Sequence, residues 1–145
     1  MTYEEYLEKN DDLTYTNVGV SMMPLLHQGR DLFTVTKKTA RRCKAGDVVL
    51  YRRPPNKYVL HRIIAVRPHD YVILGDNCVR KEYGIKDSDI IGIMTGFVRN
   101  GRSYSVKDLP YRLYSAYIMS TIPIRIFRKK AVLKAKRTVK KIIRI

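Results

Sequence analysis

The chain has 145 residues, of which 45% are apolar, and this suffices for one domain with a buried core. Its 29 Lys and Arg against 13 Asp and Glu give a formal net charge of +16, which favours a polyanionic partner, either nucleic acid or an anionic membrane surface. The two cysteines, Cys43 and Cys78, exclude a disulfide framework and have no metal-ligand spacing, so we expect two unrelated thiols, no metal and no cofactor.

The N-terminal segment predicts a short helix. Thr2 and Glu5 have the spacing of a capping box, so the helix is expected over residues 3–9. The segment "MTYEEYLEKNDD" is acidic and has no apolar run, so we expect neither a signal peptide nor a membrane anchor there.

Short strands separated by turns are predicted next, and a helical pattern follows Pro110. The dipeptide Asn100-Gly101 is the strongest hairpin signal. We predict a mainly β fold, a coiled, partly closed sheet with a short N-terminal helix and a basic C-terminal helical segment, divided into a body over residues 1–110 and an extension over 111–145. The strand-like runs are 13–18, 31–37, 47–53, 58–66, 71–74 and 89–98, with one helical turn at 24–27.

A serine and a histidine are candidates for chemistry. Ser21 lies in a turn that contains glycine, and a serine hydroxyl is a poor nucleophile unless a base takes its proton. His61 lies on a predicted strand, on the face it shares with Val59, so it is an ionisable group in an apolar row. His27 is near Ser21 in sequence, and His69 lies in a polar turn where exposure is expected.

The order of the segments around these residues resembles the signal peptidase I family of serine peptidases and its relatives, which include the self-cleaving LexA-like repressors. The resemblance covers roughly residues 15–98 of this sequence. The matching motifs are "GVSMMP" (19–24), "QGRDLFTV" (28–35), "GDVVLYRRP" (46–54), "YVLHRI" (58–63), "LGDN" (74–77) and "IIG" (90–92).

The resemblance implies a catalytic role for three residues. Ser21 is the nucleophile, His61 is the general base, because "HR" is typical of the endoplasmic-reticulum and archaeal branch, and Asp76 is the acidic third member. Asp87 and Asp89 are alternatives for that third position, because the acids after "GDN" are spaced differently here. A free histidine has a pKa of about 6.5, so we expect activity to rise through about pH 6 to 7.

The same resemblance indicates how the oxyanion and the substrate are bound. The backbone N–H of Ser21 is the natural oxyanion donor, and Gly19 supports the turn where many signal peptidases carry a serine. Asp31 and Asp47 are expected to fix turns. Because the segment before the first strand is too short for a DNA-reading domain, we expect cleavage of another polypeptide, with small residues before the scissile bond. The alternatives are a catalytically silent binding module of this fold and a basic nucleic-acid-binding protein.

The C-terminal segment carries much of the positive charge. Residues 125–145 hold ten of the 29 basic residues and no acid, and apolar residues recur there at helical spacing. A basic amphipathic helix suits an anionic membrane surface, so we expect peripheral membrane association through residues 111–145, and a cytoplasmic protein otherwise. Nucleic acid is the alternative partner, although Phe127 alone offers little base stacking.

Overall fold

The protein folds around one antiparallel sheet of eight strands, as seen in a computed structural model that describes residues 1–144. The predicted C-terminal extension includes Ile145, which lies outside the described residues. The elements are α1 (Tyr3–Lys9), β1 (Asp12–Thr16), β2 (Leu32–Lys37), β3 (Val48–Arg53), β4 (Lys57–Val66), β5 (Tyr71–Leu74), β6 (Glu82–Ile85), β7 (Ile90–Arg99), β8 (Arg102–Ser105), α2 (Leu109–Ser120) and α3 (Ile122–Ile143).

The strand order is β1-β2-β7-β3-β4-β5-β6, with β8 paired to β7. The predicted mainly β fold is confirmed, but the sheet is not closed, so the partial closure that was predicted is not formed. β1 and β6 lie at the two ends of the strand order, and β8 pairs with β7 alone. The predicted helix over residues 3–9 is also confirmed, with Glu5 N donating to Thr2 Oγ1 at 3.1 Å and Thr2 N donating to Glu5 Oε2 at 3.0 Å. Asn100 and Gly101, at φ 52° and 80°, form the predicted hairpin turn between β7 and β8.

Both faces of the central strands are buried. One face packs against α1, the segment after β1 and Tyr111 of α2, in a core that includes Leu50 and Leu60. The other face forms a second core that includes Tyr51 and Ile63. Because consecutive residues of a strand point to opposite faces, β4 supplies side chains alternately to the two cores.

Two strands were not predicted, and the helical segment is divided. β6 was not predicted because its sequence "EYGI" contains a glycine, Gly84, at φ 77°, and because Ile85 is its only buried residue. β8 was implied by the hairpin signal but has no apolar pattern of its own. The helical region breaks at Thr121, since Pro123 lies in the first turn of α3 and cannot continue the preceding helix.

Cys43 and Cys78 are free cysteines, of which Cys43 is buried and Cys78 is partly buried. Within residues 1–144, no helix has the length and apolar character needed to cross a membrane.

Candidate functional site

Ser21 lies in a turn that is fixed by hydrogen bonds and by a buried neighbouring side chain. Gly19 has φ 81°, a conformation that favours glycine, and its N–H donates to Gln28 Oε1 at 2.8 Å, so it holds the turn. The buried Asn17 donates through Nδ2 to the carbonyl oxygen of Leu26 at 3.3 Å. Met22, next to Ser21, is fully buried and anchors the turn in the core. The partly exposed Ser21 is therefore presented by a fixed backbone.

Asp31 fixes the end of the same loop. Its carboxylate is buried and accepts from the backbone N–H of His27 at 2.7 Å and of Asn100 at 2.9 Å. Asp47 likewise accepts from the backbone N–H of Lys44 at 2.8 Å. Both residues fix turns, as the sequence indicated.

His61 projects from β4 into the site. Its side chain lies on the strand face that contributes Val59 and Ile63 to the second core, which confirms the predicted row. Within the described part of the chain, the ring makes one hydrogen bond, between Nδ1 and the hydroxyl of Tyr51 at 3.3 Å. The other ring nitrogen, Nε2, therefore has no hydrogen-bond partner among the described residues.

Gly75 marks the point where the histidine and the serine turn meet. A Cβ atom placed on Gly75 would lie 3.0 Å from His61 Nε2, 2.7 Å from the carbonyl oxygen of Ser21 and 2.7 Å from Cys78 Sγ. These three atoms therefore surround one small space that a side chain would fill. The sequence motif "GDN" requires glycine at its first position for this reason.

Asn77, in the same motif, ties its loop to the serine turn. Its backbone N–H donates to the carbonyl oxygen of Ser21 at 2.8 Å, and its Nδ2 donates to that of Val20 at 3.1 Å. The amide N–H of Ser21 donates no hydrogen bond to any other described residue. It is therefore available as the oxyanion donor that the sequence indicated.

Asp76 does not contact the histidine. Its carboxylate receives Arg62 Nε at 2.8 Å and Nη2 at 2.9 Å, and the hydroxyl of Tyr114 at 2.8 Å. Arg62 follows His61 directly and therefore points to the opposite face of β4. As the acidic third member, Asp76 would accept a hydrogen bond from His61 Nδ1–H, and this bond is not formed because Asp76 lies on the arginine side of the strand.

The two alternative acids bond groups other than the histidine, although Asp89 also lines the groove of Ser21 and His61 described below. Asp87 accepts from the hydroxyl of Tyr71 and pairs with Lys38, and Asp89 accepts from the backbone N–H of Lys86. Neither carboxylate hydrogen-bonds the candidate base. The group next to the imidazole is thus a phenol, where the family resemblance implied a carboxylate.

Ser21 and His61 line one groove of about 1160 Å³. The groove runs between the serine turn, the first half of β4 and the segment 80–85, and it also exposes Cys78. His27 is not among its lining residues, and His69 is exposed in its turn, as predicted. The structure therefore brings Ser21 together with His61 and with neither other histidine. No hydrogen bond joins the Ser21 hydroxyl to His61 among residues 1–144; in free enzymes such bonds are often long and tighten on substrate binding.

Burial changes the acid–base behaviour of the histidine. Burial of the ring away from solvent lowers the pKa of His61 to about 4. The positive charge of Arg53 also lowers this pKa, whereas the negative charges of Glu82 and Asp76 raise it. The imidazole is therefore neutral at pH 7, as a general base must be. The expected onset of activity moves from the region of pH 6 to 7 towards pH 4, because the sequence could not reveal how deeply the ring is buried.

The buried histidine also predicts a loss of stability in mild acid. The ordinary pKa of histidine is about 6.5, so between that value and about 4 the unfolded chain binds a proton that the folded protein does not. Stability from His61 is complete above about pH 6.5 and falls as the pH drops through this window, by about 3 kcal/mol. Urea unfolding at pH 7.0 and 4.5 measures this. His61→Gln should remove most of the change, whereas the exposed control His69→Gln should retain it; an unchanged pH slope in His61→Gln would contradict the burial effect.

Three residues of the site were not singled out from the sequence. Tyr51, Gly75 and Asn77 lie in the quoted motifs, but their contacts depend on strand register and loop approach. The "GDN" motif was the available signal for Gly75 and Asn77. Among residues 1–144, no three His, Cys, Asp or Glu side chains cluster as metal ligands.

Comparison of the chain with models of protein families, with curated proteins and with solved structures finds no match.

Proposed function

We propose that the protein is a serine endopeptidase that cleaves a precursor or leader polypeptide, with Ser21 as the nucleophile and His61 as the general base. The observation that carries the proposal is the convergence of His61 Nε2 and the Ser21 turn on the space beside Gly75, at the wall of one groove. A neutral imidazole next to a serine on a fixed, partly exposed turn is the arrangement that nucleophilic catalysis requires.

The reaction follows from these groups. Ser21 Oγ attacks the carbonyl carbon of the scissile bond while His61 Nε2 takes the hydroxyl proton. The backbone N–H of Ser21 donates to the oxyanion of the tetrahedral intermediate. Collapse of the intermediate breaks the C–N bond, and the imidazolium returns the proton to the leaving amine. Water, deprotonated by the same nitrogen, then hydrolyses the ester to Ser21.

The groove suits an extended polypeptide. Val18, Val20 and Tyr83 line it and are 73%, 59% and 60% exposed, so it offers apolar contacts at its surface. β6 is an edge strand at its wall, and an edge strand can pair with an added strand through backbone hydrogen bonds. A polypeptide bound there would lie in the groove that Ser21 lines.

A peptide library tests the proposal. Incubation with the wild-type protein should produce cleaved peptides detectable by mass spectrometry, with small residues before the cleaved bond, and Ser21→Ala should produce none. Binding of library peptides without cleavage by the wild-type protein would instead identify a catalytically silent binding module.

We further propose that α3 holds the peptidase at an anionic membrane surface. Every residue from 128 to 144 is exposed, and the basic side chains there have no acidic partner among the described residues. Ile124, Val139 and Ile142 are more than half exposed and lie on one helix face. Anionic headgroups complement this charge, and the apolar face suits the interface.

Truncation of α3 tests its role in membrane binding separately from its contribution to folding. A chain ending at Lys130 keeps the hydrogen bond from Lys129 Nζ to the carbonyl oxygen of Asn77, at 3.1 Å, and the hydrogen bonds that join α2 to Arg62 and Asp76. It should unfold at the same urea concentration as the full chain and bind vesicles containing anionic lipid much more weakly, with the difference shrinking as salt rises. Sedimentation with vesicles measures this, and neutral vesicles are the control. Equal binding by both chains would remove the membrane role from α3.

A further inference from the structure

The tautomer of His61 decides whether it can act as a base. A neutral imidazole carries its proton on Nδ1 or on Nε2, and only the Nδ1–H form leaves a lone pair on Nε2. In serine peptidases a carboxylate beside Nδ1 selects that form. Here Asp76 is bound on the opposite face of β4, so another group must select it.

The strand register places Tyr51 beside the ring. In the β3–β4 pair, Tyr51 lies opposite Val59 and Val49 lies opposite His61, which makes Tyr51 and His61 diagonal neighbours on one face. Large aromatic side chains reach across such diagonals. The two rings are 6.0 Å apart between centroids, and the phenol oxygen is 3.3 Å from Nδ1. Tyr51 is fully buried, so its position is fixed by the core.

An ion pair of Arg53 with Glu82 contacts the phenol oxygen. Arg53 Nη2 lies 3.3 Å from the phenol oxygen, and since a guanidinium can only donate, it occupies one lone pair of that oxygen. The same Nη2 pairs with Glu82, which holds the guanidinium at the phenol oxygen. Burial, followed by the charge of Glu82, raises the pKa of Tyr51, so the phenol stays neutral. A second lone pair of the phenol oxygen remains to accept a hydrogen bond from Nδ1.

We propose that Tyr51 is a positioning residue for His61, whose phenol oxygen accepts the Nδ1–H and so keeps Nε2 free to take the proton of Ser21. This inference rests on the proposed peptidase function and deepens it, because it replaces the carboxylate of a serine triad by a phenol that the ion pair of Arg53 with Glu82 contacts. Tyr51 touches neither the substrate nor the reacting atoms and acts through the imidazole.

Nitrogen NMR of the ¹⁵N-labelled protein at pH 7 tests the proposal directly. The wild-type protein should show His61 with a protonated Nδ1 and an unprotonated Nε2, and His61→Gln identifies its signals. Tyr51→Phe keeps the ring and removes the hydroxyl, so it should convert the single tautomer into a mixture. On a cleaved peptide, kcat should fall roughly five- to tenfold, the loss expected for one neutral hydrogen bond, with KM unchanged.

A matched control is Tyr71→Phe, which removes another buried phenol hydroxyl in the same core, one that binds the backbone N–H of Cys43 at 3.0 Å. This variant should leave the His61 tautomer and kcat unchanged. A proton on Nε2 in the wild-type protein, or an unaltered tautomer and kcat in Tyr51→Phe, would overturn the inference. The wild-type spectrum gives this answer even if Tyr51→Phe does not fold.

The two proposals fail separately. A wild-type protein with an unprotonated Nε2 that cleaves no library peptide would refute the peptidase function and leave the hydrogen bond of Tyr51 to His61 in place. Cleavage that depends on Ser21 but is unaffected by Tyr51→Phe would refute the positioning role and leave the peptidase function in place.

Discussion

Ser21→Ala and His61→Ala are each expected to lower kcat/KM for peptide cleavage by about a thousandfold or more, and the double variant is expected to lose no more than either single variant. The hydroxyl and the imidazole perform one step together, the attack and the transfer of its proton, so removing the second group costs nothing once the first is absent. Initial rates on the best peptide of the library, measured for all four proteins, give the cycle.

His27→Ala is the matched control for this cycle, because His27 is close to Ser21 in sequence but does not line the groove. It should retain a near-wild-type rate, and circular dichroism should show all the variants folded. Additive losses in the double variant would mean that Ser21 and His61 do not act as a unit. An inactive His27→Ala together with an active His61→Ala would mean that His27, and not His61, is the general base.

The sequence predicted the fold to the extent that local signals determine it. Tyr71–Leu74 was predicted with its observed bounds, and the runs that became β2, β3, β4 and β7 were shifted by about one residue, because each alternates or is continuously apolar between turn residues. β6 was missed because its one buried side chain, Ile85, contributes to a core that other strands assemble. Such a short edge strand has no apolar pattern of its own, so its formation depends on contacts that are distant in sequence.

Some residues of the candidate site could likewise be predicted from the sequence, and others could not. Ser21 and His61 were recognisable from the order of the motifs around them, which resembles the signal peptidase I family. A serine in a glycine turn or a histidine in an apolar row would not identify a site by itself. The role of Asp76 was not predictable, since adjacent residues on β4 offer it two partners, and only the approach of the "GDN" loop selects Arg62 over His61. Tyr51 was likewise visible as a strand residue, but its place beside the imidazole depends on the β3–β4 register.

The second large effect concerns stability: Asp76→Asn is expected to lower the free energy of unfolding by about 3–5 kcal/mol. The side chains of Arg62 and Asp76 have no exposed surface, and burial alone would lower the pKa of Arg62, but Asp76 raises it overall. The guanidinium also donates to the hydroxyl of Ser115 at 2.8 Å and to that of Tyr111 at 3.2 Å. Loss of the carboxylate charge therefore leaves a buried cation that joins β4 to α2. Since domains of this size are stable by about 5–15 kcal/mol, urea unfolding should show a large shift of the midpoint.

The pair Arg67–Asp70 is the internal control, because it has the same two-pronged geometry at the surface, with side chains 45% and 21% exposed. Asp70→Asn should leave the urea midpoint unchanged, since solvent screens an exposed pair. A double replacement of the buried pair, Arg62→Met with Asp76→Leu, should recover stability relative to Asp76→Asn, because it leaves no buried charge without a partner. If Asp76→Asn instead unfolds at the wild-type midpoint and cleaves no peptide, Asp76 acts on catalysis from the arginine side of β4. The third member that the family resemblance implied would then be an acid that reaches the site through Arg62.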